Sequence, residues 1–137
     1  MRGWWQNLTD LVLPTECGGC GRPRAVLCPE CRAALVGAAP RRVRPVPEPP
    51  GLPVVYAAAP YEDEVRAALL AHKERGALML AGPLGEALAG AVRAGLTSGG
   101  VPPAAPVLLA PVPSARRAVR ARGHDPARRI ALAAAGE

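Results

Sequence analysis

The spacing of hydrophobic positions changes several times along the chain, and each change marks a segment. In residues 1–14, Trp4, Trp5, Leu8, Leu11, Val12 and Leu13 are set among polar residues, which predicts a short amphipathic helix. It is too short and too interrupted to be a signal core or a membrane span, and it is expected to pack against the cysteine-rich segment that follows. A short helix is predicted over residues 32–36. Residues 40–53 then lose all periodicity: Pro40, Pro45, Pro47, Pro49, Pro50, Gly51 and Pro53 alternate with Arg41, Arg42 and Arg44, the composition of an extended linker. The compact apolar run 54–58 predicts a buried strand. From Tyr61 onward Val65, Ala68, Leu69 and His72 share one helical face, with Glu62, Asp63 and Glu64 in the acid-favouring first turn and Gly76 as the stop. Leu80, Leu84, Leu88 and Val92 recur every four residues and predict a second helix over 77–96, interrupted early by Gly82-Pro83. Residues 107–110 predict a second buried strand. Asp125 followed by Pro126 has the form of an N-cap and first helical position, so a last helix is expected from there to about residue 135.

Strand, helix, helix, strand, helix is the beginning of an α/β sheet. Two strands do not make a stable parallel sheet, so the chain reads as the N-terminal part of something longer. Three units follow: residues 1–39, the linker 40–53, and the partial α/β unit 54–137. Half of the 137 residues are hydrophobic, but with no Phe, two Trp and two Tyr the core must be built from Ala, Val and Leu. Small side chains bury little area each, so stability is expected to lean on a metal, a partner or further chain. The net charge of +6 favours anionic partners such as phosphate groups, nucleic acid or acidic lipid. With neither a signal peptide nor a spanning segment, a cytoplasmic location is expected.

The chemistry is concentrated in Cys17-Gly-Gly-Cys20 and Cys28-Pro-Glu-Cys31, which hold all four cysteines within fifteen residues. Two Cys-x-x-Cys pairs at this separation form a closed thiolate site for one Zn²⁺. Four thiolates leave no position for water or substrate, so the zinc is expected to be structural. Disulfides need an oxidising compartment that nothing here indicates. An iron-sulfur cluster is the alternative occupant of four cysteines.

An apolar segment ending in Leu13-Pro14, the four-cysteine knuckle, Tyr61 with Lys73 and Gly76 after it, then Pro111-Val112-Pro113 with Arg116, Arg117, Arg120 and Arg122-Gly123, together resemble the ComF family. That family is similar to type I phosphoribosyltransferases carrying a zinc knuckle at the front, and is linked to DNA uptake in natural competence. The resemblance implies an α/β fold in which the knuckle precedes an incomplete Rossmann-like phosphoribosyltransferase sheet. It also implies 5-phosphoribosyl diphosphate as substrate of a complete enzyme, with Mg²⁺ and arginines neutralising the pyrophosphate that leaves. His124-Asp125-Pro126 stands where the family usually has an aromatic followed by Asn-Gln. The adjacent acidic pair and Thr/Gly-rich turn that hold the ribose and its phosphate are not among these residues, so this chain by itself is expected to be inactive.

On this resemblance Lys73, Arg116, Arg117, Arg120 and Arg122 are the candidates for holding pyrophosphate. The plainer roles are charge complementarity at a helix C-terminus for Lys73 and a solvated basic loop for the arginines. His124 is the one candidate general base, although a histidine after glycine more often sits in a surface turn; His72 and Met79 read as packing residues. The rival functions are a nucleic-acid-binding accessory, with knuckle and arginines on single-stranded DNA, and a module that docks other competence proteins. Against the first, the only aromatic rings for stacking are Trp4, Trp5, Tyr56 and Tyr61, and none lies within the arginine run.

Overall fold

The computed structural model describes residues 15–137. The helix expected within residues 1–14 lies outside them. The chain forms α1 (Pro29–Val36), β1 (Arg41–Val43), β2 (Val55–Ala57), α2 (Asp63–Glu74), a 3₁₀ turn (Leu78–Leu80), α3 (Ala81–Ser98), α4 (Arg116–Arg122) and α5 (Pro126–Ala135). Among the described residues no helix is long and apolar enough to cross a membrane.

Local chemistry accounts for most of these boundaries. Proline at the first position of α1 gives up an N–H that no helix would have used, and Glu30 adds a negative charge to the first turn. In α2 the acidic start and Lys73 near the end follow the helix dipole, and Gly76 turns the chain away with φ +68°. The Asp125 carboxylate accepts from the Arg128 N–H at 3.3 Å, so α5 begins at Pro126 as its cap predicts. The interruption at Gly82-Pro83 is absorbed within the first turn of α3, where a proline is tolerated, and a 3₁₀ turn precedes it.

The core comprises Leu35 of α1, Val65, Ala68 and Ala71 of α2, Leu80, and Leu84 and Ala87 of α3. Met79, expected inside, points outward and is exposed: the 3₁₀ turn sends its neighbour Leu80 inward instead. α3 and α5 form the most extensive helix pair. They meet at Gly85, where an added Cβ would lie 2.5 Å from Ala133 Cβ and 2.8 Å from Ala134 N. Gly85→Ala ordinarily gains up to about 1 kcal/mol of helix propensity. Here overpacking of about 1–3 kcal/mol outweighs it, so a lowered denaturant midpoint at unchanged m-value is expected.

The sheet differs from the expected one. Residues 55–57 do form a strand, but its partner is Arg41–Val43, from the stretch that reads as linker, and the pairing is antiparallel with Arg42 opposite Tyr56. The extended composition of the linker is what lets three of its residues pair. Tyr56 is seated on α3 at Gly95. Residues 107–110 are not in a strand, and Leu108 is 91 % exposed. No strand lies alongside them, and their main-chain groups have no main-chain partner among the described residues. The described residues thus join helices to one two-stranded antiparallel sheet, beside a cluster of four cysteines.

Candidate metal centre and cationic cleft

The knuckle is assembled from one tight loop and one helix start. Cys17 and Cys20 flank Gly18-Gly19, and the loop closes through Gly21 N–H to the Cys17 carbonyl at 2.8 Å and Cys17 N–H to the Arg22 carbonyl at 2.8 Å. Both glycines are needed for close approach: a Cβ on Gly19 would stand 2.6 Å from Cys31 Sγ, and one on Gly18 2.6 Å from Leu80 Cδ1. Cys28 is the N-cap of α1, and Cys31 follows in its first turn, which brings the two thiols to one side of the helix start.

All four Sγ atoms lie within 4.8 Å of one another, and Cys20 and Cys28 are 3.7 Å apart. Four sulfurs held at about 2.3 Å from one tetrahedral ion are separated by about 3.8 Å. The spacing therefore suits a shared ion, and the four thiols are free of disulfides. Cys17, Cys28 and Cys31 are buried, whereas Cys20 is exposed. Burial opposes ionisation of Cys17, yet the N–H groups of Cys28, Cys20 and Gly19 prevail and bring its thiol down to about 6. At Cys28 the Cys31 N–H favours the thiolate, but burial and the Cys20 and Cys17 thiols raise its pKa. Burial, then the surrounding thiols, push Cys31 up as well. One site thus accepts one negative charge readily and resists more. A bound cation removes that resistance, so the donor set fits a metal ion.

The second candidate cluster is divided by the structure. Residues 116–122 form a helix, not a basic loop, because Arg and Ala are strong helix formers and Gly123, at φ +81°, provides the stop. On α4 Arg116, Arg117 and Arg120 share an exposed stripe and have no carboxylate within 4.0 Å among the described residues. Arg122 lies on the opposite side and is brought to Lys73, at the end of α2. The four guanidinium groups therefore do not converge on one point.

Arg122 and Lys73 converge on Glu74. Arg122 Nε donates to Glu74 Oε2 and Nη2 to Oε1, each at 3.3 Å, while Lys73 Nζ stands 3.7 Å from Oε1. Beside them is a cavity of about 550 Å³ that Tyr61, Leu69, Lys73, Ser114, Arg122 and Ile130 help to line. Sequence reasoning passed over Glu74. The available signal was an acid in the last turn of a helix, where the dipole disfavours it.

His124 is not a surface-turn residue; it is 7 % exposed and bridges two elements. Its Nε2 donates to the His72 carbonyl at 2.9 Å, and the two rings meet edge to face at 5.5 Å. His72 is fully buried, as its place on the apolar face predicts, and its Nδ1 donates to the Ala77 carbonyl at 3.2 Å. A histidine held in this way packs α2 against the α4–α5 turn and offers no accessible base. No family model, curated protein or solved structure matches the chain.

Proposed function

We propose that the four cysteines hold a structural Zn²⁺, and that the chain is the knuckle-bearing part of a cytoplasmic phosphoribosyltransferase-like protein of the ComF type, associated with DNA uptake. All-thiolate ligation with three of four donors buried favours zinc in a closed site and gives the ion no catalytic position. The observation that carries the functional reading is the meeting of Lys73 and Arg122 at the rim of one cavity. These are two of the residues that the resemblance implies for pyrophosphate. A cation pair beside a cavity of this size suits a small phosphate-bearing molecule. The two cations would engage the diphosphate end of the substrate, the group that pyrophosphate and 5-phosphoribosyl diphosphate share.

The expected result is that Mg²⁺-bound inorganic pyrophosphate and 5-phosphoribosyl diphosphate bind the zinc-loaded protein weakly, saturably and with similar affinity by calorimetry. Lys73→Gln combined with Arg122→Gln should abolish both. If neither ligand binds, the reading fails.

A second reading has its own support. Residues 116–129 hold six arginines against the single acid Asp125, five of the chain's six net positive charges. That concentration suits a nucleic-acid backbone. Binding of a single-stranded oligonucleotide without Mg²⁺, falling steeply with salt, would favour it over the enzyme.

A further inference from the structure

Glu74 occupies a place that helix energetics alone does not explain. It is the last residue of α2, where the unpaired carbonyls give the helix its negative end, and a carboxylate there is repelled. What holds it is the pair of cations on either side: Arg122 through two hydrogen bonds in a fork, and Lys73 through a longer contact. Among the described residues, neither cation has another carboxylate within 4.0 Å.

The fork geometry is the one in which a guanidinium recognises a planar or tetrahedral oxyanion. Glu74 therefore occupies the donors that the anionic group of a ligand would use. Arg122 and Lys73 line the cavity of about 550 Å³, whereas Glu74 lines the adjoining cleft with Arg75, Gly76, Ala118 and Ala121. The carboxylate has that cleft to move within.

We propose that Glu74 is an internal competitor for an oxyanion site formed by Arg122 and Lys73, so that a phosphate-bearing ligand in the cavity engages both cations only by displacing this carboxylate from them. The choice of ligand class rests on the phosphoribosyltransferase reading above; the competition itself rests on the contacts of Glu74. Exchange favours a ligand that brings more charge than the group it displaces. A phosphate or diphosphate carries two or more negative charges against the single charge of Glu74, while acetate or formate offers no gain. The site accordingly selects phosphoryl over carboxylate ligands, and the apolar walls at Leu69 and Ile130 accommodate the uncharged part of the molecule. The ion pair is solvent-exposed on the Glu74 side, which limits the competition to the range of surface pairs.

The test uses the zinc-loaded full chain at low salt, with inorganic pyrophosphate as the probe and acetate as the control. Glu74→Gln keeps the shape and removes the charge. It is expected to tighten pyrophosphate about fivefold, the change that a surface pair of about 1 kcal/mol converts to. Arg122→Gln should weaken it at least as much. Unchanged or weaker binding by Glu74→Gln, with Arg122→Gln still defective, overturns the competition and leaves the functional reading standing. No pyrophosphate binding by any variant overturns both. Should Glu74→Gln perturb the fold, NMR of the unsubstituted chain decides. On adding pyrophosphate, the Arg122 Nε–H and Glu74 carboxylate signals should shift with one common saturation curve, and a Glu74 signal that stays fixed while Arg122 saturates refutes the displacement.

Discussion

Cys28→Ser is expected to release the metal and melt the segment from Cys17 through α1, with zinc affinity falling by more than about 100-fold, the upper end for losing even an outer partner of a ligand. Cys28 acts three times in this structure. Its thiol is one of the four that could hold a metal ion, it occupies the N-cap position of α1, and its N–H reaches Cys17 Sγ at 3.2 Å. The Cys28 side chain makes no capping bond, and serine is a preferred N-cap residue but a poor ligand, so the loss isolates the metal term. Competition with a zinc-sensitive dye measures the affinity, and far-UV circular dichroism with and without chelator measures the coupled unfolding. Should the variant bind zinc normally, a four-thiolate centre is wrong.

The titration of the thiols gives the same experiment a sign. With Cys28 and Cys31 raised above their usual range, both are protonated at neutral pH in the metal-free protein, whereas Cys17, lowered to about 6, is ionised. Metal binding therefore expels protons from Cys28 and Cys31. Zinc affinity rises with pH through neutrality and is lost progressively as the medium is acidified and Cys17 too is protonated. In the metal-free protein, the favourable contribution of Cys17 is fully present above its unfolded value of 9.0 and declines as pH falls towards about 6.

The second large effect is expected at Leu80. Its side chain is 1 % exposed, with Gly18 of the knuckle on one side and the α1–α2–α3 core on the other. Leu80→Ala removes buried methyl groups and leaves a void where the knuckle meets the helical core. A loss of about 2–5 kcal/mol is expected by denaturant titration. The distinguishing feature is a coupled fall in zinc affinity, because Gly18 loses the surface it is pressed against. A stability loss without any change in zinc binding would show that the knuckle folds independently of the core.

The parts of this fold that were legible in the sequence were those governed by neighbours in the chain. Asp125-Pro126 fixed the start of α5 because an N-cap is satisfied locally, and Gly76 fixed the end of α2 for a similar reason. The cysteine cluster was equally readable, since Cys-x-x-Cys spacing brings two sulfurs together whatever surrounds them. Residues 107–110 were misread because an apolar run specifies extended backbone but not a partner for it. Arg41–Val43 was missed because three residues among prolines carry no periodicity, and only β2 gives them a role. Glu74 escaped notice because its significance depends on Arg122, forty-eight residues away. The burial of His124 likewise depends on contact with α2.

The exposed stretch 107–110 bears on how the protein behaves when concentrated. An aliphatic segment with unpaired amides invites other chains to stack on it, and this one is bracketed by Pro106 and Pro111, with Pro113 beyond. Self-propagating fibrils need about six or seven uninterrupted residues, and proline interrupts the ladder on each side of only four. The same prolines that deny this stretch a long strand therefore act as gatekeepers, keeping an adhesive edge too short to seed ordered aggregates.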